Sequence, residues 1–294
     1  MKIAIIGATG LLGRNLVNLF SGNNDVIGFS RQNLYKNQKH FYINFDNLTT
    51  ELQNKFDIWR PDVVINCVAL VDIKKCEEDK ELAFKTNVEI ARQLSIISKQ
   101  YQSYFIHIST DHYFNDDLIK HKENSKIILK NNYAKTKYEA EIKVLKENPS
   151  SLVVRTNIIG FRKNDKESFF EWLLNSLKTE KNIGLYTNFF TSPISVYELG
   201  IILIKSINKK LYGIYNISSS EVINKFDFGM KVAEIFEYKT TNIYKTTLDN
   251  NQFTLHRALT LGLDTTKIES ALQMKMPTIQ QTIETLKKEH DEQQ

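Results

Sequence analysis

The chain opens with a short apolar run, followed by a turn with three regularly spaced glycines and then by an amphipathic segment (MKIAIIGATGLLGRNLVNLF). The run Ile3–Ile6 is typical of a strand buried on both faces, as in a parallel sheet. In such a turn Gly7 allows the tight bend, Gly10 lets backbone approach a pyrophosphate, and Gly13 permits close packing of helix on strand. Free amides and the positive end of the helix dipole attract phosphate there. The pattern predicts a dinucleotide-binding site; a βα turn without a ligand is the alternative.

Composition narrows the class of protein. The 294 residues include 41% hydrophobic and 25% charged residues, which is typical of a globular protein with one large core or two domains. We find no apolar stretch of the roughly 20 residues needed for a membrane span and no signal peptide, so we expect a cytoplasmic protein without a membrane partner. The net charge of +5 is spread along the chain, which is poor evidence for nucleic-acid binding and is compatible with an anionic small molecule, so we expect no nucleic-acid partner.

The chain has two cysteines, Cys67 and Cys76. Two cysteines fit a reducing compartment, and their separation is too long for a CxxC motif. No His or Cys cluster has the spacing of metal ligands. We therefore expect neither a catalytic thiol nor a bound metal.

Apolar runs alternate with helical segments through the first half of the chain, which predicts βαβ units and a parallel sheet. The helical segments include Glu81–Gln100, with apolar residues at helical spacing, and Tyr133–Glu147. The predicted strands are Ile3–Ile6, Asp25–Phe29, Phe41–Asn44, Val63–Asn66, Tyr104–Ser109 and Leu152–Arg155.

The pattern loosens in the second half. It passes through 169–177 and still predicts a strand at 213–219 and helices near 196–207, 225–236 and 278–290. The expected fold is α/β, a Rossmann doubly wound parallel sheet with a smaller C-terminal α/β substrate lobe. We expect residues 1–155, with 184–218 returning to them, to form the NAD(P)-binding domain. Residues 156–183 and 219–294 would form the substrate-binding lobe.

A second motif carries the predicted chemistry. The segment ISTDHYF at 108–114 ends a strand, and Tyr133 and Lys137 lie four residues apart on one helix face. Hydroxyl, phenol and ammonium then converge at the carboxyl edge of the sheet. A phenol has a pKa of about 10, and a nearby ammonium favours its ionised form. Thr110 can bond a substrate carbonyl oxygen while Tyr133 protonates it. A surface lysine and a core tyrosine are the alternative interpretation.

Over nearly its whole length the sequence resembles the extended short-chain dehydrogenases/reductases, most closely the dTDP-4-dehydrorhamnose reductases. The glycine turn and the Tyr/Lys pair mark the superfamily, whereas the Thr-Asp pair, the Ser-Pro turn and the Leu-Asp-Thr-Thr-Lys segment are narrower signals. The matching segments are GATGLLG at 7–13, RPDVVINCVALVDIKKCEED at 60–79, Asn87, ISTDHYF at 108–114, YAKTK at 133–137, VVRTNIIG at 153–160, FFTSPISVYELG at 189–200, GIYNIS at 213–218 and LDTTKIESAL at 263–272.

The resemblance implies a catalytic triad of Thr110, Tyr133 and Lys137, in which Lys137 also holds the nicotinamide ribose. It implies substrate contacts by Asp111, His112, Asn157 and Arg257. The implied cofactor-binding set is Gly7, Thr9, Gly10, Leu11, Leu12, Gly13, Ser30, Arg31, Asp46, Cys67, Val68, Ala69, Asn87, Tyr133 and Lys137. Within it, Asp46 resembles an adenine-contacting acid, and an N-cap for the following helix is an equally good interpretation.

The choice of dinucleotide depends on charge. An NAD enzyme places Asp or Glu at the end of the second strand, where this chain has Phe29, Ser30 and Arg31. Arg31 favours a 2′-phosphate, so we expect NADPH, with NADH possible if Arg31 is only a solvated loop residue.

Two positions depart from the family pattern. The reductases usually carry Tyr at the position of His112 and Trp near Asn157 or Ile158. Dehydratases carry Glu at the position of His112, so dehydration is not expected here. His112 can titrate near neutrality or serve as a hydrogen-bonded structural residue. The candidates to hold a substrate diphosphate are Arg155, Arg162, Lys163 and Arg257.

These observations favour NADPH-dependent reduction of the 4-keto group of a nucleotide-linked 6-deoxyhexose, as in deoxysugar and surface polysaccharide biosynthesis. A sugar-nucleotide epimerase is one alternative. A non-catalytic NADP-binding regulatory subunit, like that of methionine adenosyltransferase, is another. A homodimer through the helices at 81–100 and 133–147 is possible on the family pattern.

Overall fold

A computed structural model describes residues 1–32, 39–114, 119–162, 167–249 and 256–292. The chain divides into two compact units. The first unit comprises Met1–Thr110, Asn131–Val154 and Leu203–Tyr215, and the second comprises Asp111–Lys130, Arg155–Ile202 and Asn216–Gln294.

In chain order, the strands are β1 (Lys2–Ile6), β2 (Asp25–Ser30), β3 (His40–Tyr42), β4 (Val63–Asn66), β5 (Tyr104–Ile108), β6 (Lys120–His121), β7 (Leu152–Arg155), β8 (Ile158–Ile159), β9 (Ile183–Tyr186), β10 (Phe190–Thr191), β11 (Ile194–Ser195), β12 (Gly213–Asn216), β13 (Ile223–Asn224), β14 (Ile243–Thr246) and β15 (Gly262–Leu263).

The helices are α1 (Leu11–Ser21), α2 (Leu48–Trp59), α3 (Ile73–Glu78), α4 (Lys80–Phe84), α5 (Ile90–Gln100), α6 (Asn132–Glu147), α7 (Phe169–Lys178), α8 (Val196–Asn208), α9 (Lys225–Ile235), α10 (Thr266–Leu272) and α11 (Ile279–Asp291), with a 3-10 turn at Phe45–Asn47 and a π-helical turn at Lys85–Glu89.

A seven-stranded sheet of described residues has the order β12, β7, β5, β4, β1, β2, β3. The pairs β1–β2, β2–β3, β1–β4, β4–β5 and β5–β7 are parallel. The chain moves outward from β1 in one direction and restarts at β4 in the other, so the strand order reverses between these two strands. In open parallel sheets, ligands bind at the carboxyl edge beside this reversal. The predicted Rossmann doubly wound sheet is confirmed.

The sheet of the first unit is covered on both faces. Residues Ile3–Ile6 are fully buried, as a central parallel strand requires. Helix α1 turns one apolar face inward, and its buried residues include Leu12, Leu16 and Phe20. At the same time Gly7 takes a φ of +88°, a left-handed conformation that favours glycine. A Cβ on Gly13 would lie 2.2 Å from the Gly7 carbonyl oxygen, so helix and strand meet too closely for a side chain.

The segment Glu81–Gln100 is not the single regular helix that its periodicity predicts. The helix changes at Lys85–Glu89, where one π-helical turn separates α4 from α5. This turn carries Asn87, whose side chain is buried and hydrogen-bonded to Leu70. Wide turns of this kind are frequent at functional sites. Apolar spacing alone does not reveal the extra residue.

The second unit has its own core. Buried side chains of α7, α9 and α11, including Leu173, Phe228 and Ile283, form one cluster. Capping boxes at Ser168 and Thr278 begin α7 and α11. The described part of the unit also contains short pairs of strands, namely β6–β15, β8–β11, β9–β14 and β10–β13.

These strand pairs explain where the two units differ from the expected domain boundaries. Residues 111–130 and 184–202 belong to the second unit, although the sequence analysis placed both with the first domain. The segments pair with strands far along the chain, since β6 bonds to β15 and β9 bonds to β14. Pairings over such separations leave no local signal. The assignment of cofactor binding to the first unit and substrate binding to the second stays a prediction.

Within the described ranges, no helix combines the length and the apolar character needed to cross a membrane.

The approach of α1 to β1 gives a test of stability. Gly13→Ala places a methyl group against the Gly7 carbonyl, and we expect the variant to lose about 1–3 kcal/mol of unfolding free energy, as overpacked sites do. The measurement is urea denaturation followed by circular dichroism.

Gly22→Ala is the matched control, because Gly22 has ordinary helical φ and ψ (−63°, −35°) and a Cβ there meets no atom within 4 Å. It should be neutral or slightly stabilising. Equal destabilisation by both substitutions would contradict the packing explanation.

Candidate active site

The glycine turn and the end of β4 lie side by side at the reversal of the sheet. The Cys67 amide donates to the Ile6 carbonyl at 2.8 Å, and a Cβ on Gly7 would lie 3.0 Å from the Cys67 carbonyl carbon. The Val68 amide donates to Asn66 Oδ1 at 2.9 Å, which fixes the first step of the segment Cys67–Ala69. Two of the predicted cofactor-binding segments are thus adjacent in the first unit.

Gly10 differs from the other two glycines of the turn. It caps α1 with extended backbone (φ −72°, ψ 170°), and a Cβ there would touch only the Gly7 carbonyl oxygen, at an ordinary 3.4 Å. Nothing in the described part of the chain therefore requires glycine at this position. A ligand that comes close to the backbone would require it. The first-turn amides of α1, at Leu11 and Leu12, lack intrahelical partners and point out of the same helix end.

The end of β2 presents a cation. Ser30 is buried, and its hydroxyl donates to the Gln32 carbonyl and lies 2.8 Å from His40 Nε2. Arg31 is exposed, with its guanidinium 5.7 Å from the centre of the Phe45 ring. The guanidinium is accessible to a phosphate.

Asp46 is exposed and forms an ion pair with Lys85. The Asp46 amide is itself capped by the Asn44 side chain, and Asp46 caps no helix, so the N-cap interpretation of Asp46 is wrong. The sequence misplaced the cap by two residues, because Asn44, Asp46 and Asn47 are all residue types that cap helices. Contact of Asp46 with an adenine stays a prediction.

Asn87 is a positioning residue in this structure. Its Oδ1 accepts from the Leu70 amide at 2.7 Å, and its Nδ2 donates to the Leu70 carbonyl and to Thr136 Oγ1 at 3.2 and 3.0 Å. These three bonds engage its amide group and tie the loop after β4 to α6. Contact of Asn87 with a cofactor stays a prediction.

The three residues of the predicted triad are all buried in the first unit, with Thr110, Tyr133 and Lys137 exposed by 4, 8 and 1%. Asn131 caps α6 by accepting from the Ala134 amide, so the helix begins just before Tyr133. One turn later, the Lys137 ammonium donates to the Ile108 carbonyl at 2.8 Å, at the end of β5. Thr110 follows β5 by two residues, so the triad lies at the carboxyl edge of the sheet.

The Lys137 ammonium sits in a dry environment. Burial lowers the pKa of Lys137 to about 8, against the opposing pull of Glu141. Burial also raises the pKa of the Cys67 thiol to about 12, and that of Cys76 to about 11, so both thiols are neutral. These directions agree with the expectation that neither cysteine is a nucleophile.

His107 is a residue that the sequence analysis did not single out. It is fully buried on β5, and its Nδ1 accepts from Asn66 Nδ2 at 3.1 Å. Burial and the nearby Lys137 hold its pKa well below the usual range, so the ring is neutral. Asn66 in turn fixes the Val68 amide, and His107 thereby supports the loop after β4. A histidine within the apolar strand YFIHI was the available signal.

The predicted substrate residues of the second unit also come together. Asn157 Nδ2 donates to Asp111 Oδ2 at 2.6 Å, and His112 Nε2 lies 3.8 Å from Asp111 Oδ1. Burial raises the pKa of Asp111 and lowers that of His112. Arg257 interacts electrostatically with His112. The lowered pKa favours a neutral His112 at neutral pH.

The structure describes three of the four candidates to hold a substrate diphosphate, namely Arg155, Arg162 and Arg257. Arg155 is 1% exposed, donates to the Glu123 carbonyl at 3.0 Å and lies over the rings of Tyr113 and Phe114 at 5.1 and 5.6 Å. It is a buried structural cation, so its predicted role is wrong. Lys163 lies outside the described residues.

Lys225, another residue absent from the sequence analysis, interacts electrostatically with Asp111 and His112. It follows them by more than a hundred residues, and no motif marks it. Among the residues that the structure describes, no three His, Cys, Asp or Glu side chains are arranged to hold a metal ion.

The chain is similar to known proteins over nearly its whole length. The family model "RmlD substrate binding domain" matches residues 1–291. The chain belongs to the RmlD substrate-binding domain family. The resemblance to extended short-chain dehydrogenases/reductases, and to the dTDP-4-dehydrorhamnose reductases among them, is confirmed.

Relatives of this family include enzymes and a subunit of another enzyme. The probable low-salt glycan biosynthesis reductase Agl14 of Haloferax volcanii is 24% identical over 97% of either chain. The dTDP-4-dehydrorhamnose reductase of Aggregatibacter actinomycetemcomitans is 25% identical over 79% of this chain and 78% of its own. Methionine adenosyltransferase 2 subunit beta of Xenopus laevis is 26% identical over 82% of this chain and 74% of its own.

Among solved structures, the dTDP-4-dehydrorhamnose reductase of Bacillus anthracis, in complex with NADP, superposes with a TM-score of 0.85. It is 22% identical, and the match covers 98% of this chain and 99% of that one. The fold is that of the RmlD-family reductases. The predicted classification as an oxidoreductase of this family agrees with these relatives.

The burial of Lys137 predicts a pH-dependent stability difference. The pKa of Lys137 is about 8 in the folded protein and about 10.5 in an unfolded chain, so the folded state binds fewer protons between these values and its stability rises with pH. At about 1.4 kcal/mol per pKa unit, wild type should gain about 3 kcal/mol relative to Lys137→Met between pH 7 and pH 10.5.

Urea denaturation of both proteins at several pH values measures this difference, and Lys135→Met, at an exposed position of the same helix, is the control. A difference between wild type and Lys137→Met that stays constant with pH would refute the burial of a titrating ammonium.

Proposed function

We propose that the protein catalyses the NADPH-dependent reduction of the 4-keto group of a nucleotide-linked 6-deoxyhexose. One observation carries the proposal: a buried ammonium, Lys137, stands one helical turn from Tyr133 at the strand end that leads to Thr110. A buried cation is costly unless its charge is used. Strongly perturbed titrating groups cluster at catalytic sites.

The chain has the features that a dinucleotide requires. Gly7 and Gly13 are required by the turn itself, whereas Gly10 leaves open the approach of a pyrophosphate to the start of α1. Ser30 ends β2 without an acidic side chain, and Arg31 is exposed beyond it, which favours a 2′-phosphate over a free ribose hydroxyl. When bound, NADPH supplies the hydride.

Three side chains of the triad would polarise the substrate carbonyl, protonate its oxygen and stabilise the resulting charge. The Thr110 hydroxyl is placed to donate a hydrogen bond to the substrate carbonyl oxygen, which polarises the carbon that is reduced. Tyr133 gives its phenolic proton to that oxygen as negative charge develops on it. The Lys137 ammonium stabilises the phenolate that remains, because an opposite charge in a dry site lowers the pKa of a phenol. Solvent then returns a proton to Tyr133.

The sugar end of the substrate would meet Asp111, His112 and Asn157. A neutral His112 beside a buried carboxyl can hydrogen-bond sugar hydroxyls, and the pair lacks the second carboxyl that dehydration would need. Relatives named as a glycan biosynthesis reductase and a dTDP-4-dehydrorhamnose reductase support a nucleotide sugar as the substrate class.

A regulatory role is the second candidate, and the likeness to methionine adenosyltransferase 2 subunit beta favours it. The intact triad argues against it, since a structural dinucleotide does not require a lowered lysine pKa next to a tyrosine. An epimerase would return the hydride to its substrate and would consume no NADPH.

The reductase proposal is tested by loss of NADPH absorbance with a panel of dTDP-, UDP- and GDP-linked 4-keto-6-deoxy sugars. We expect turnover with at least one sugar, and Tyr133→Phe should lower kcat by 100-fold or more, because general-acid catalysis contributes about 10²–10⁴-fold. Tyr138→Phe, on the same helix, is the matched control and should keep near wild-type activity.

Turnover that survives in Tyr133→Phe would contradict the assigned proton donor. Tight NADPH binding without turnover of any sugar would favour the regulatory subunit, and sugar conversion without net NADPH consumption would favour the epimerase.

Cofactor preference depends on Arg31. We expect Arg31→Ala to raise the KM for NADPH at least 10-fold and that for NADH less than twofold, because only NADPH carries the 2′-phosphate. Arg60→Ala is the control, since Arg60 is also exposed and also lies over an aromatic ring, Tyr101 at 5.3 Å, but precedes β4 at the opposite edge of the sheet. Equal effects of Arg31→Ala on both cofactors would refute the assignment.

A further inference from the structure

The Ser30 hydroxyl closes a short turn around Arg31. It donates to the Gln32 carbonyl at 2.6 Å and accepts from the Gln32 amide at 3.3 Å. Both backbone polar groups of Gln32 are thus bonded to the side chain that precedes Arg31. Because the two ends of the turn are held together, the backbone at Arg31 has little freedom, although the Arg31 side chain is exposed.

His40 fixes the orientation of that hydroxyl. The Nε2 atom of His40 lies 2.8 Å from the Ser30 Oγ atom. A hydroxyl has one proton, and the Ser30 proton is used on the Gln32 carbonyl. The Ser30 oxygen therefore accepts in its contact with His40, which requires the proton of the neutral ring to be on Nε2. Burial lowers the pKa of His40, and a hydrogen bond to the Gln32 backbone opposes this effect, which agrees with a donating ring.

Strand pairing gives His40 this position. Strands β2 and β3 are parallel, and His40 stands opposite Gly28. A Cβ on Gly28 would lie 2.8 Å from the Ala8 Cβ atom and 3.5 Å from His40 Nδ1. A glycine inside a strand often marks such a close approach. The imidazole and the turn after β1 therefore lie on the same face of the sheet, beside Gly28.

The end of β2 is also bonded to the glycine turn. The amides of Gly7 and Ala8 both donate to the Phe29 carbonyl, at 2.8 and 3.1 Å. The next residue is Ser30, so the turn around Arg31 starts one residue from the turn that would bind the pyrophosphate. In NADPH the 2′-phosphate and the pyrophosphate are attached to the same ribose-containing half of the molecule. A guanidinium next to the glycine turn can therefore bind the first while the start of α1 binds the second.

We propose that His40 is a positioning residue that determines the preference for NADPH over NADH. It acts through the Ser30 hydroxyl on the backbone at Arg31, and so holds the guanidinium where the 2′-phosphate arrives. The guanidinium lies 5.7 Å from the centre of the Phe45 ring, and a side chain that is already placed loses less freedom when it binds an anion. The assignment rests on the proposed function, since it concerns the cofactor of the same site.

Calorimetric titration of the full chain with 2′,5′-ADP and 5′-AMP tests this role without a sugar or a hydride, because the two probes differ only in the 2′-phosphate. His40→Leu should weaken binding of 2′,5′-ADP about fivefold, the effect of roughly one net hydrogen bond, and should change the Kd of 5′-AMP less than about twofold. His40→Gln keeps an N–H donor at the end of the side chain and should restore most of the lost affinity.

Double variants identify the route by which His40 acts. In Arg31→Ala, His40→Leu should have no further effect on 2′,5′-ADP binding, because the side chain that it positions is gone. Ser30→Ala should give the same selective loss as His40→Leu. The losses from these two substitutions should not add, since both break one chain of hydrogen bonds.

Phe41→Leu is the matched control for a loosened β3. Phe41 follows His40 on the strand and stacks on Phe29 with 5.9 Å between the ring centres, but its side chain has no hydrogen-bonding group. We expect this variant to lower the melting temperature and to keep the ratio of the two Kd values unchanged. Thermal melts of all variants establish that each one is folded before it is titrated.

The outcomes separate the role of His40 from the reductase. Selective loss of 2′,5′-ADP affinity in His40→Leu, without reduction of any sugar, would support the positioning role and contradict the proposed reaction. Equal losses for the two probes, or a selective loss that persists in Arg31→Ala, would overturn it. A wild-type chain that binds both probes equally would also overturn it, and sugar reduction with NADH would then still support a reductase.

Discussion

The hydrogen bond from the Lys137 ammonium to the Ile108 carbonyl is the interaction on which the candidate site depends. It fixes the charged end of the Lys137 side chain, on α6, to the end of β5. Because the ammonium is buried, its orientation is held by one strong donor–acceptor contact, and the field of the charge is screened little by water. The neutral state of His107 and of the Cys67 thiol follows from the same dry surroundings. One desolvated cation thus lies near an imidazole and a thiol that burial keeps uncharged.

The reversal of strand order brings the candidate dinucleotide-binding segments to the same edge of the sheet as the Lys137 ammonium. The turn after β1 and the loop after β4 lie side by side where the strand order reverses. Both lie at the same edge of the sheet as the end of β5. Asn66 and Asn87 each hydrogen-bond a backbone group of the loop after β4, and their side-chain amides also bond His107 and Thr136. Polar residues within the core of the first unit therefore serve to hold a surface loop in one conformation.

The sequence predicted the sheet well because its signals are local. The apolar runs of β1, β2, β4, β5 and β7 carry their own boundaries, and the glycine turn identifies the first βα unit from three residues. The placement of Tyr133 and Lys137 was predictable for the same reason, since their spacing along one helix brings them to one face; their catalytic role stays a prediction.

What the sequence did not predict depends on long-range contacts. The pairing of β6 with β15 and of β9 with β14 assigns two segments to the second unit, and no short pattern encodes it. Arginine is a residue type that often binds phosphate. Only the packing of Arg155 on Tyr113 and Phe114 identifies it as a structural residue. Lys225 interacts electrostatically with Asp111 only because the fold brings distant segments of the chain together.

The π-helical turn at Lys85–Glu89 has a consequence for how this chain can change during evolution. One extra residue in a helix rotates everything after it by about 100° relative to a regular helix. Loss of a single residue here would both release Asn87 from Leu70 and turn the buried face of α5, including Leu94, away from the core. Substitutions in this segment can accumulate one at a time. A change in its length, however, would disrupt both the Asn87–Leu70 hydrogen bonds and the packing of α5 in a single step. The segment should therefore tolerate variation in side chains and resist insertions and deletions.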